Sequence, residues 1–358
     1  MSEDGELARH SVFDEPECPD LNPQGFGERL SQYYGRSTMP VAVRWREWLR
    51  EALSVVPDAA VGDLTSRLRA RDVAHRGAVW ELACVRVLLG LGCRLDWHPP
   101  APTGSCPDWK VTASSGEVFY FEARVLEEPT EVERDRILDA LSQMPGYGCF
   151  FSVRVPGIGR DSPQTTMLVR AVGDHLQSGG REPFVWEDRG WRVELTFEAA
   201  EGAVHHNVGM FQDNMRTSTA GVNLRKQVVR KLKKYGDLGA PLVIGVWDRD
   251  PLGGPDQALC GLVGTHTYSF RQDGARRASR RRDGILAERV GKRLSALLYC
   301  RQVNVFSDES SGVRVWLPPA ARHPLPRAVL PFRRTTWSLE TGQVSELDAE
   351  VSWDSIVR

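Results

Sequence analysis

Asp108, Glu122 and Arg124 fall on two short β-like segments, PDWKV (107–111) and EVFYFEARV (117–125), whose spacing can set two acids face to face. In a strand, alternate side chains share a face, so Glu122 and Arg124 point one way with Val118 and Tyr120. Phe119, Phe121, Ala123 and Val125 point the other way. Asp108 and Lys110, two apart, share a face on the preceding segment. If Ser114-Ser115-Gly116 is a three-residue hairpin loop with Gly116 left-handed, Ala113 pairs with Glu117. Counting back, Asp108 then sits opposite Glu122, with Cβ atoms about 5 Å apart. Two facing carboxylates repel unless a proton or a divalent cation lies between them.

Glu81 adds a third acid. It belongs to AVWELACVRVLLGL (78–91), an almost wholly apolar helical stretch whose one other charge is Arg86. Its i±3 and i±4 neighbours are Ala78, Cys84, Gly77 and Val85, none of them a cation. Burying an unpaired carboxylate is costly, so Glu81 must face a metal, a cation from elsewhere, or solvent.

The lysines repeat this local bias. The chain has only six, against forty arginines, and Lys226, Lys231, Lys233 and Lys234 fall within nine residues. On a helix over 221–235, Leu224, Val228, Leu232 and Tyr235 form one apolar stripe, and Lys231 falls about 40° from Tyr235 within it. Lys226 and Lys233 lie on the opposite face, and Lys234 flanks the stripe. A lysine in an apolar seam is unusual: it either snorkels past the helix edge or has a functional role there.

These residues need elements to hold them. Helical patterns run from Pro40 to about Ala70 and over 73–91, followed by β-like runs at 93–97, 107–111 and 117–125. Helix is expected at 131–143, 164–177 and 221–235, with strands at 148–155, 191–199 and 241–247. The order helix–strand–strand–strand–helix–strand indicates an α/β domain with a mixed sheet flanked by helices. Beyond residue 250 an arginine-rich loop (271–282), a helix near 286–299 and a proline-rich close are expected. The chain divides into an acidic, disordered tail (1–38), helices plus core (39–250) and a C-terminal extension (251–358).

Composition narrows the function. Hydrophobic residues make up 41% and charged residues 26% of 358, an ordinary globular balance. No apolar run approaches the roughly 18 residues that cross a bilayer, and the N-terminus lacks a secretory signal, so a cytoplasmic protein is expected. Seven cysteines without a CxxC pair argue against a disulfide framework or zinc module. Residues 1–28 hold eight carboxylates and one arginine, so a net charge of −1 hides a body at +6, which suits a polyanion partner. His205-His206 lacks metal-ligand spacing and reads as a polar turn.

Glu81 on a helix, then Pro107-Asp108, then Glu122-Ala123-Arg124 on the next strand, resembles the PD-(D/E)xK restriction-endonuclease-like superfamily, as does the surrounding text from about 65 to 335. The resemblance implies a restriction-endonuclease-like core, here with an N-terminal helical layer. It implies a metal-dependent nuclease cleaving DNA, with Mg²⁺ or Mn²⁺ held by Asp108, Glu122 and Glu81. Arg124 stands where the family pattern has lysine. Arginine can stabilise phosphate charge but stays protonated, so Lys231 or Lys110 becomes the candidate to replace it. Trp109, Lys110, Lys234, Arg276, Arg277 and Arg280 are expected to contact nucleic acid, although an arginine run is more often simply a solvated loop. A homodimer or larger assembly is consistent with this family. The alternative is a catalytically weakened nucleic-acid-binding protein, or a scaffold subunit, on the same fold.

Overall fold

The computed structural model describes residues 12–357 apart from 14–15, 17, 23, 25–27, 128, 145–148, 160, 200–207, 211–219, 251–252, 271–275, 304–311 and 338–343. His205-His206 lies outside the described residues. Four helices come first: α1 (Leu30–Arg36), α2 (Pro40–Ser54), α3 (Asp58–Arg69) and α4 (Asp72–Gly90). They lead into the meander β1 (Arg94–Trp97), β2 (Trp109–Thr112) and β3 (Val118–Leu126). Next come α5 (Pro129–Ser142), β4 (Cys149–Gly157), α6 (Thr165–Gln177), β5 (Phe184–Asp188), β6 (Trp191–Ala199) and β7 (Val208–Met210). Then α7 (Ala220–Tyr235), β8 (Leu242–Asp248), α8 (Pro255–Val263), β9 (His266–Phe270) and β10 (Arg276–Arg280) follow. The chain closes with β11 (Ala296–Cys300), β12 (Arg314–Trp316), β13 (Arg334–Trp337), β14 (Val344–Leu347) and α9 (Asp354–Val357).

The main sheet has eight strands in the order β1-β2-β3-β8-β11-β12-β13-β14. β1, β2 and β3 pair antiparallel, whereas β3, β8 and β11 run parallel, so the sheet is mixed. One face packs against α2, α3 and α4, through Leu49, Leu64, Trp80 and Val87 against Phe119, Phe121 and Val243. The other face packs against α7 and α8, through Leu224, Val228, Leu232 and Leu262 against Ile244, Val246 and Leu297. A strand covered on both sides must be apolar throughout, and LVIGVW in β8 meets that condition. Gly245 marks a close approach within the sheet: a Cβ there would come 2.5 Å from the Phe121 ring. The indole N–H of Trp80 donates to the Gly245 carbonyl at 3.0 Å, pinning α4 to the central strand.

Between β3 and α7 the chain builds a second sheet, β5-β6-β4-β7, with α5 and α6. Its core (Ile137, Leu141, Phe151, Val153, Leu168, Trp191, Leu195) is its own. The segments at 149–157 and 191–199 are strands as expected, but they belong to this inserted unit and not to the main sheet.

Four expectations are corrected. The segment beyond 251 is no appendage, because β11 pairs with β8 and three further strands continue the same sheet. The helix expected near 286–299 is two short 3₁₀ turns followed by β11, whose ALLYC run is buried throughout. A short apolar run satisfies either period, and pairing with β8 decides for strand. The arginine-rich stretch is not wholly loop, since residues 276–280 form β10 against β9. The acidic tail ends earlier than residue 38. Val12 and Phe13 are buried in the main core, Arg69 donates to the Val12 carbonyl at 2.8 Å, and Arg36 pairs with Asp20 at 2.6 Å and with Glu28.

Candidate active site

The β2–β3 hairpin sets the site. Gly116 adopts φ +94°, the left-handed conformation a three-residue loop requires, and the Ala113 N–H donates to the Glu117 carbonyl at 2.8 Å. The ladder then runs Thr112 to Val118, Lys110 to Tyr120 and Trp109 to Phe121. One further step places Asp108 across from Glu122. The two residues are tied reciprocally: the Asp108 N–H donates to Glu122 Oε2 at 3.3 Å, and the Ala123 N–H donates to Asp108 Oδ2 at 2.8 Å.

Glu122 is fully buried, on the face of β3 that looks towards α7. Lys231 Nζ lies 2.7 Å from its Oε1, and the Tyr235 hydroxyl donates to its Oε2 at 2.5 Å. Lys231 also donates to the Tyr235 oxygen at 3.3 Å, and the Arg124 guanidinium pairs with the same carboxylate. Lys231 is 6% exposed, so it does not snorkel; it serves the buried acid. Lys226 and Lys233 are exposed on the opposite side of α7, as the helical wheel implies.

Glu81 meets a cation from another helix. Arg67, on α3, donates through Nη2 to Glu81 Oε2 at 2.6 Å, and the Trp109 indole donates to Oε1 at 3.0 Å. Both carboxylate oxygens are therefore engaged by the protein. Arg67 lies fourteen residues from Glu81 on a separate helix, so no i±3 or i±4 spacing in the sequence links the two.

The electrostatics follow from this crowding. Burial first, and then the charges of Glu122 and Glu81, hold the Asp108 carboxyl well above the ordinary carboxylate range. Burial likewise raises Glu81, with Arg67 opposing it. Burial and the Glu122 charge push the Tyr235 phenol above its ordinary value, so it remains a proton donor at neutral pH.

Other expected residues are placed elsewhere. Trp109 is fully buried and donates to Glu81, so it cannot stack on a substrate. Lys110 sits on the ladder between Asp96 and Tyr120, and among the described residues no ion pair joins it to Asp108 or Glu122. Lys234 is exposed, with its ammonium 5.1 Å from the centre of the Tyr235 ring. The side chains of Arg276 and Arg277 lie outside the described residues, while Arg280 donates to the Gly264 carbonyl at 3.4 Å.

Among the described residues no three histidine, cysteine, aspartate or glutamate side chains converge on one metal position. Glu81 is committed to Arg67 and Trp109, and both oxygens of Glu122 are engaged as well, Oε1 by Lys231 and Arg124 and Oε2 by Tyr235. Mg²⁺ needs one or two carboxylates and completes its shell with water, so an ion at the Asp108–Glu122 pair would have to displace Lys231 or Tyr235 from Glu122. No protein-family model, curated protein or solved structure matches the chain.

Proposed function

We propose that the protein is a metal-dependent phosphodiesterase hydrolysing nucleic acid, a cytoplasmic DNA endonuclease on a restriction-endonuclease-like core. The observation that carries this reading is the Asp108–Glu122 pair across one hairpin, with Lys231 Nζ 2.7 Å from Glu122. The sequence of α4, β1, β2, β3, α7 and β8 supports it, being the helix–meander–helix–strand order that the family resemblance implies.

Asp108 and Glu122 would hold Mg²⁺ or Mn²⁺; when bound, such an ion activates water and neutralises phosphate charge. Lys231, with its Nζ 2.7 Å from Glu122, would take the part of the lysine that the family pattern has at position 124, although it arrives from α7. Arg124, permanently charged, contributes phosphate stabilisation and no proton transfer. Burial of Glu122 and Lys231 strengthens their interaction, while Arg124 reaches partly to solvent.

A cleavage panel of duplex DNA, single-stranded DNA and RNA with Mg²⁺ and Mn²⁺, beside Asp108→Ala, tests the reading. Metal-dependent cleavage by the wild type, lost in the variant, supports it. Absence of cleavage in every metal sinks it.

A second reading has one observation in its favour. Glu122 is already saturated by Lys231, Tyr235 and Arg124, which is how a nucleic-acid-binding protein that has lost its chemistry would neutralise the acid. Salt-sensitive binding without cleavage would select it.

A further inference from the structure

The cations of the site are not equivalent. Lys231 is enclosed, whereas the Arg67 side chain is 30% exposed. Arg67 is also braced from two sides: its Nη2 donates to Glu81 at 2.6 Å and its Nε donates to Asp63 at 2.8 Å. A guanidinium carries five N–H donors, and these contacts use two. Glu81 in turn binds the indole of Trp109, the residue next to Asp108 on β2. A chain of contacts thus runs from Arg67 through Glu81 and Trp109 to the carboxylate pair, and Arg67 also feels the charge of Asp108.

Stability alone is a poor reason for this arrangement. Replacing a buried ion pair with well-packed apolar residues is commonly neutral or stabilising. A braced, partly exposed guanidinium beside two acids is instead a preorganised fork for a phosphate oxygen, because little side-chain freedom is left to lose on binding.

We propose that Arg67 is a phosphodiester-binding residue of this site and that Glu81 holds it in place instead of ligating metal. This rests on the nucleic-acid reading of the site, and the test separates the two. Arg67→Ala alone would strand a buried Glu81, so the decisive variant is the neutral pair Arg67→Met with Glu81→Gln, which keeps an acceptor for Trp109. Binding of a labelled duplex oligonucleotide is measured without divalent metal across a salt series, with melting temperature alongside. The double variant should melt near the wild type, bind about tenfold more weakly at low salt, and show a salt slope smaller by about one phosphate contact. Arg67→Lys, which keeps the charge and the pairing but loses the fork, should fall between them. If the wild type binds and the double variant matches it in affinity and slope, Arg67 is only the counter-ion of Glu81 and the proposal is overturned. If the wild type does not bind the duplex at low salt, the nucleic-acid reading fails and this proposal fails with it.

Discussion

Lys231 and Glu122 form a buried ion pair, Nζ to Oε1 at 2.7 Å, joining α7 to the middle of β3. Position 124 on β3 is arginine, and a lysine is set beside Glu122 by a helix that follows the inserted unit. A buried cation on an otherwise apolar stripe is stable only because this acid receives it.

Replacing Asp108 with asparagine separates folding from chemistry. The native environment holds the Asp108 carboxyl above its ordinary range, so its ionised form is a cost to the fold at neutral pH. A neutral amide removes that cost while still offering an oxygen to the Ala123 N–H. Asp108→Asn should melt at or above the wild-type temperature in the absence of metal. Calorimetric titration should show a large loss of divalent-metal affinity, and cleavage should fall by orders of magnitude. Wild-type cleavage in this variant would remove Asp108 from the chemistry.

Tyr235→Phe deletes one oxygen that serves two partners. Glu122 Oε2 loses its 2.5 Å donor and Lys231 loses an acceptor, both in a buried place. A hydrogen bond to a charged group contributes about 1.5–3 kcal/mol, so a destabilisation of about 2 kcal/mol is expected by urea unfolding. Metal affinity should drop about tenfold or more, as is usual when the partner orienting a ligand is removed. Unchanged metal binding in a destabilised protein would make Tyr235 purely structural.

Asp139 provides a pH probe away from the site. Burial first, then Asp135 and Asp72, pushes its carboxyl up to about 6 from 3.8. For an acid raised in the native state, the folded form binds the extra proton between those values, so stability falls as pH rises through them. Asp139→Asn should therefore stabilise the protein above pH about 6 and have little effect below pH about 4. Denaturant midpoints at pH 4, 5, 6 and 7 would show it, and an equal shift at every pH would refute it.

Removing residues 1–28 tests the N-terminal packing. Val12 and Phe13 are buried against the main core, and burial of two such side chains contributes about 3 kcal/mol or more. The Arg36 pairs with Asp20 and Glu28, being partly exposed, add little. The truncated chain should unfold at lower urea concentration. An unchanged midpoint would show that the segment is dispensable to the fold.

Local signals made much of the site legible. Gly116 alone set the loop length, and the loop length set Asp108 against Glu122, because a hairpin register propagates from its turn. The angular position of Lys231 on α7 followed from residues three and four apart. What failed to show is what depends on distant partners. Arg67 meets Glu81 only because two helices pack side by side. The ALLYC run at 296–300 has no local feature that separates strand from helix until β8 lies beside it. Val12 and Phe13 sit in an acidic stretch whose charge outweighs two apolar residues in any average, yet those two find the core.

The inserted unit between β3 and α7 has a consequence for how such a protein diversifies. Its core shares no residue with the two clusters that cover the main sheet. Glu122 precedes the insertion and Lys231 follows it, so the pair is made by elements whose positions the main sheet dictates. Lengthening a connection costs little, about 0.6 kcal/mol per doubling of loop length. A unit of this kind is portable: it can be enlarged, pared back or exchanged by recombination while the acids and their lysine stay where they are. The surface of the inserted unit and the Glu122–Lys231 pair can therefore change independently of each other.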